Sequence, residues 1–166
     1  MIPMRTGNTF EFGGAKIDVL APEPDYEPAS SPRNNDSLVF RVTYGAHKFL
    51  FTGDMEKQVE ARLLDESRIG RIDVLKVGHH GSRTSSTAPF LDATHPTFAL
   101  ISVGLANSYR HPNVEVLQRL RDANAQIFRT DETGLVSIRS DGKRFEVDRG
   151  ARDYKPAYQS YPSFAQ

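Results

Sequence analysis

The chain contains no cysteine, which excludes disulfides, thiolate-ligated metal sites and a cysteine nucleophile. It has no surplus of either charge: 21 Lys and Arg stand against 21 Asp and Glu. A module held on nucleic acid by a global basic field is therefore disfavoured, while an enzyme acting on phosphodiesters is not excluded. No apolar run approaches membrane-spanning length. No internal repeat is present, and the one low-complexity tract is the proline- and serine-rich stretch 21–36. The expectation is a chain without a secretory leader, cytoplasmic by default, or else the soluble domain of a larger membrane protein.

What is present is enough for one domain. The 166 residues are 38% hydrophobic and 25% charged, the balance of a globular domain with a real core. Thr9–Phe12 and Lys16–Leu20 flank Gly13-Gly14 and read as a hairpin. Ser37–Tyr44 and His47–Thr52, rich in β-branched and aromatic residues, form a second hairpin around Gly45-Ala46. Met55–Leu64 spaces Val59, Leu63 and Leu64 as a helix does. A helix is expected between Ser85 and Thr94, capped by Ser85 or Ser86, and Thr97–Val103 reads as a strand. A further helix over 113–123 carries Val114, Leu117 and Leu120 behind Pro112. Gln126–Arg129, Leu135–Arg139 and Arg144–Val147 are short strands separated by turn signals. The order predicts an α/β domain with a mixed sheet over 1–149, followed by a mobile tail or linker stub over 150–166.

The chain is organised around Asp73–Ser82, DVLKVGHHGS. Val74, Leu75 and Val77 read as a buried strand, so His79 and His80 stand at its tip, where open α/β sheets collect ligands. Asp54, in Thr52-Gly53-Asp54, sits at a second strand tip, and His111, in ANSYRHP, follows a third. A carboxylate and neutral imidazoles are ligand types that zinc and manganese accept. Each feature also has an ordinary reading: Gly-Asp as a helix cap, a histidine as a loop residue. Lys76, the odd charge in an apolar strand, reads as an edge or face-exposed side chain.

LVFRVTYGAHKFLFTGDMEKQVEARLL, DVLKVGHHGSRTSS and ALISVGLANSYRHPNVEVLQRLRDANAQIFRTDETGLVSI closely resemble the metallo-β-lactamase-like domain of ComEC-type competence proteins, which serve DNA uptake. The resemblance covers roughly residues 9–149. It implies an αββα sandwich with a divalent metal site, zinc or else manganese, at one sheet edge. It implies Asp54 as a bridging metal ligand that orients a metal-bound water, His79 or His80, or both, as further ligands, and His111 as a ligand or a substrate-facing residue. It implies Asp54, His80 and His111 in catalysis, and DNA or another phosphodiester as substrate. Ser82, Arg83, Asn107 and His111 are then candidates for substrate binding. Asn34, Asn35, Asp36 and Ser37 match the polar approach to the family's middle strand.

One departure is large. The superfamily's early His-x-His-x-Asp-His segment has no counterpart before Asp54, where the only histidine is His47. The chain is therefore expected to be the second half of such a domain, lacking its N-terminal half, with an incomplete metal site and an exposed sheet face or edge on which the missing half would pair. Two functions stay open: a metal-dependent nuclease or phosphodiesterase whose missing ligands come from another segment, and a non-catalytic remnant or interaction module that keeps the fold.

Overall fold

Alternating apolar and polar side chains build the first four strands. A computed structural model of the protein describes residues 3–27, 30–31 and 33–149. In it β1 (Thr9–Phe12), β2 (Ala15–Ala21), β3 (Val39–Tyr44) and β4 (His47–Phe51) form an antiparallel meander. From β4 onward the pairing turns parallel, through β5 (Val74–Lys76), β6 (Phe98–Ile101) and β7 (Gln126–Arg129). The seven strands lie in sequence order across one sheet. The expected tail over 150–166 lies outside the described residues, as does part of the proline-rich loop.

That order decides where the helices go. α1 (Lys57–Asp65) links β4 to β5, α2 (Ala88–Thr94) links β5 to β6, and α3 (Val114–Asp122) links β6 to β7. Successive right-handed crossovers that all step in one direction put every helix on the same face. Leu50, Leu75, Ala99 and Ile101 of the strands there join Val59, Leu63, Phe90, Leu91, Val116 and Leu120 of the helices in one buried core. In α3 the core residues are Val116 and Leu120, whereas Val114 of the expected apolar set is 71% exposed. Two residues separate Val114 from Val116, which is about 200° around a helix.

The opposite face is aromatic and only partly covered. Ladder partners place Phe40, Phe49, Phe51, Val74, Lys76, Phe98 and Leu100 on it. The hairpin β8 (Val136–Ser140) and β9 (Phe145–Arg149) lies over its β4–β6 part. Phe145 stacks on His47 at 3.7 Å and meets Phe49 and Phe98 edge-on. Beyond the hairpin, Met4, Phe10, Ile17, Val19, Leu38 and Phe40 line an open apolar groove of about 260 Å³. Lys76 is half-buried on this face rather than exposed at an edge, and its Nζ donates to the Val77 carbonyl at 3.0 Å. Burial pushes its ammonium below the ordinary lysine range, a shift that the Asp54 carboxylate opposes.

The start of α2 also departs from local expectation. The residue before the helix is Thr87, and its side chain makes no cap of the usual kind. Neither Ser85 nor Ser86 caps it: the Ser85 hydroxyl donates to the Gly78 and Ser82 carbonyls. The cap comes instead from Glu60 of α1, whose carboxylate accepts from the Ser86 and Thr87 amides and the Thr87 hydroxyl. Glu60 is 1% exposed, and burial raises its carboxyl above the usual range against those bonds. Glu60→Ala leaves three donors without an acceptor, at about 1–3 kcal/mol per buried group, partly relieved by water. The expected loss is about 2–4 kcal/mol, read as a lower urea midpoint at unchanged slope. The folded state also binds the Glu60 proton more tightly than the unfolded chain. Stability of the parent therefore falls as pH rises from the ordinary carboxylate value to the raised one, and the variant lacks that slope.

Candidate active site at the strand ends

Parallel pairing of β4 with β5 brings two chain ends to one edge. The Thr52 hydroxyl donates to the Lys76 carbonyl at 2.7 Å, and the His79 amide donates to the Gly53 carbonyl at 3.1 Å. The Asp54 amide donates to Ser37 Oγ at 2.9 Å, which hangs the 34–37 loop on the same edge. Beyond Val77 the chain makes a tight turn, Gly78–Gly81, in which His79 and His80 take left-handed φ values of 47° and 55°. Left-handed backbone costs roughly 1–2 kcal/mol per non-glycine residue, and such strain concentrates at functional sites. The turn is held by the Ser85 hydroxyl on the Gly78 carbonyl and by the Asn113 amide on the Gly81 carbonyl, both at 2.8 Å.

The result is an open pocket of about 570 Å³ lined by Asn34, Asp54, His79, His80, Tyr109 and His111. His80 Nδ1 lies 2.6 Å from the Ser102 carbonyl oxygen. A carbonyl only accepts, so Nδ1 carries hydrogen and Nε2 of the neutral ring is bare. That Nε2 lies 3.7 Å from Asp54 Oδ1. Two ligands about 2.1 Å from a tetrahedral metal ion stand about 3.4 Å apart. The pair thus fits one edge of a coordination shell. Among the described residues no group of three His, Asp or Glu side chains is placed to hold one ion.

His111 completes the pocket wall, with its ring 5.7 Å from His79 and 5.9 Å from the nearly parallel ring of Tyr109. Burial, reinforced by the nearby His79 and His80, pushes its imidazole below the usual histidine range. Asn107 fixes the loop rather than facing the pocket: its Oδ1 accepts from the His111 amide and its Nδ2 donates to the His111 and Gly104 carbonyls. Ser82 is buried, with its hydroxyl bonded to Thr84 Oγ1, and the Arg83 carbonyl accepts from Arg119. Of the four candidate substrate-binding residues, the pocket wall therefore includes His111 but not Ser82, Arg83 or Asn107. Tyr109 belongs to the same ANSYRHP run, but an exposed aromatic alone carries little signal in a sequence.

Residues 28–104 match the family model for the metallo-β-lactamase superfamily. The chain is 38% identical over 137 residues to ComE operon protein 3 of Bacillus subtilis, covering 82% of this chain and 17% of that protein. It is 32% identical over 155 residues to Recombination protein 2 of Haemophilus influenzae, covering 92% and 19%. With Competence protein ComA of Neisseria gonorrhoeae it shares 33% over 165 residues, covering 92% and 22%. The chain belongs to the metallo-β-lactamase superfamily. It spans about a fifth of the length of these curated relatives. Among solved structures it superposes on a mutant of the CmlA β-hydroxylase with a TM-score of 0.52 at 14% identity, covering 77% of this chain and 32% of that one. That likeness supports the fold alone.

Gly81 is a position in the histidine turn that tolerates no side chain. Its φ is +82°, and an added Cβ would lie 2.6 Å from Pro112 Cβ. Gly81→Ala should cost about 1–3 kcal/mol through strain and overpacking. It should also shift the His80 ring-nitrogen signals in a proton–nitrogen correlation spectrum, because the turn no longer seats that ring on Ser102.

Proposed function

We propose that this chain supplies one side of a metal-dependent hydrolase site for phosphodiesters, with DNA as the foremost substrate. The observation that carries the reading is the bare Nε2 of His80 facing the Asp54 carboxylate at 3.7 Å. Superfamily membership and the likeness to competence proteins support it. Asp54 and His80 would hold the ion, zinc or else manganese, with His79 beside them. A divalent metal bound there supplies Lewis acidity and lowers the pKa of a bound water. His111 is the proton acceptor and donor of the pocket: its depressed pKa keeps the ring uncharged near neutrality, so it can take a proton from a reacting group.

The remaining donors come from a covering half-domain that docks on the open aromatic face. The groove at Phe10, Ile17 and Phe40, with Phe12 83% exposed beside it, is the surface offered. A second reading, an interaction module without turnover, is favoured by the donor count, since a catalytic zinc takes about three protein ligands and the described residues group fewer.

The two readings separate in one experiment. The isolated chain should bind Zn²⁺ or Mn²⁺ weakly by calorimetry and hydrolyse DNA or a small phosphodiester poorly or not at all. Losing one outer partner of a metal ligand typically costs about 10–100-fold in affinity or activity, and a missing ligand should cost more. Adding a segment that contains His-x-His-x-Asp-His should restore binding and turnover, and Asp54→Ala should abolish both. No restoration favours the interaction module. Robust Asp54-dependent turnover from residues 1–166 alone would show that the site is already complete.

A further inference from the structure

Glu56 lies two residues beyond Asp54, just ahead of α1. Its Oε1 accepts from Thr84 Oγ1 at 2.6 Å and from Asn34 Nδ2 at 3.3 Å, and stands 3.5 Å from His79 Nδ1. One carboxylate therefore ties three loops: the 34–37 approach, the His79-His80 turn and the segment leading to α2.

His79 Nδ1 has a second neighbour, Asn34 Nδ2, at 3.4 Å. The two neighbours demand opposite tautomers. An amide N–H pointing at Nδ1 requires that nitrogen bare, with the hydrogen on Nε2. A carboxylate, which only accepts, requires the hydrogen on Nδ1. The Asn34 amide carries two hydrogens, one of which serves Glu56 at 3.3 Å, so the choice at Nδ1 lies between its other hydrogen at 3.4 Å and the Glu56 carboxylate at 3.5 Å, and a hydrogen bond to an ionised acceptor is the stronger. We propose that Glu56 is a positioning residue that holds His79 as the Nδ1–H tautomer, leaving Nε2 bare towards the pocket. The Ser102 carbonyl imposes the same tautomer on His80. Two adjacent residues then present bare Nε2 atoms, each fixed from behind by an acceptor, an arrangement that sets ring orientation and ligand basicity in advance.

The inference concerns the pocket read above as a hydrolase site, but its test needs neither metal nor substrate, so either can fail while the other stands. Long-range proton–nitrogen correlation spectra of the metal-free chain, recorded near pH 8.5 where an ordinary imidazole is neutral, report the tautomer of each histidine. Signals are assigned with single His→Gln variants. The expected result is His79 as Nδ1–H, against the Nε2–H form that dominates in free imidazole side chains. Glu56→Ala should swing the His79 tautomer ratio towards Nε2–H by roughly tenfold, and Glu56→Gln by less, because its amide oxygen still accepts. The His80 signals should stay unchanged, which shows that the turn is intact. Asn34→Ala should leave His79 as Nδ1–H. Nε2–H in the parent chain, or Nδ1–H surviving Glu56→Ala, overturns the proposal. If Glu56→Ala fails to fold, the parent spectrum and Glu56→Gln decide it: no change in the glutamine variant counts against a charge-assisted bond.

Discussion

The pocket depends on one backbone hydrogen bond, from the His79 amide to the Gly53 carbonyl. It continues the parallel β4–β5 ladder past the last paired residues, Phe51 and Lys76, and joins two turns that are both left-handed. Gly53 has φ +53°, and His79 and His80 follow suit at φ 47° and 55°. Taken alone such a bond contributes about 0.5–1.5 kcal/mol. Its importance is geometric: it sets the spacing between Asp54 and His80. The bond survives the strain of the histidine turn because that turn is also tied at both ends, by Ser85 at Gly78 and by Asn113 at Gly81.

The same strand order that places the pocket leaves the sheet open. Right-handed crossovers in one direction close one face with three helices and assign none to the other. The uncovered face is rich in phenylalanine, and β8–β9 covers only the part around Phe49, Phe98 and Lys76. Phe40 and Phe51 stack on each other at 4.8 Å there, yet Phe51 remains 37% exposed. Apolar surface of this kind is what the covering half-domain proposed above would bury.

Strand positions were legible because periodicity and turn chemistry agreed: Val39–Phe51 alternates around Gly45, and Val74–Val77 is short, apolar and closed by Gly78. From strand ends alone, the meeting of Asp54, His79, His80 and His111 at one edge could be foreseen. Polar residues near the turns were harder to read. Ser82 and Asn107 read as ligand contacts in sequence; in the fold Ser82 Oγ accepts from the Thr84 amide and Asn107 donates to the His111 carbonyl, so each also serves the backbone of its own loop. No local pattern shows the cap of α2, because its acceptor, Glu60, arrives from another helix 26 residues away. Glu56 is silent in the sequence for a related reason. Its partners Asn34, His79 and Thr84 come from three separate loops, so no local spacing announces them.

Once the polar atoms that hold the loops are accounted for, few are left to face the pocket. Asn35 accepts from the Glu56 amide, Ser37 from the Asp54 amide, and Asn107 brackets His111. Among the described residues, those left facing the pocket are the Asp54 carboxylate, Nε2 of His79 and of His80, the His111 ring and Tyr109, all on segments that follow strands of one sheet. A cation held there would meet the Asp54–His80 pair from the side of the strand ends; on the function proposed above, further donors would approach from the face that the helices leave free. The open aromatic face and the donor pair share one origin: the strand order that carries all three crossover helices to one side also brings Asp54 and His80 to the same sheet edge.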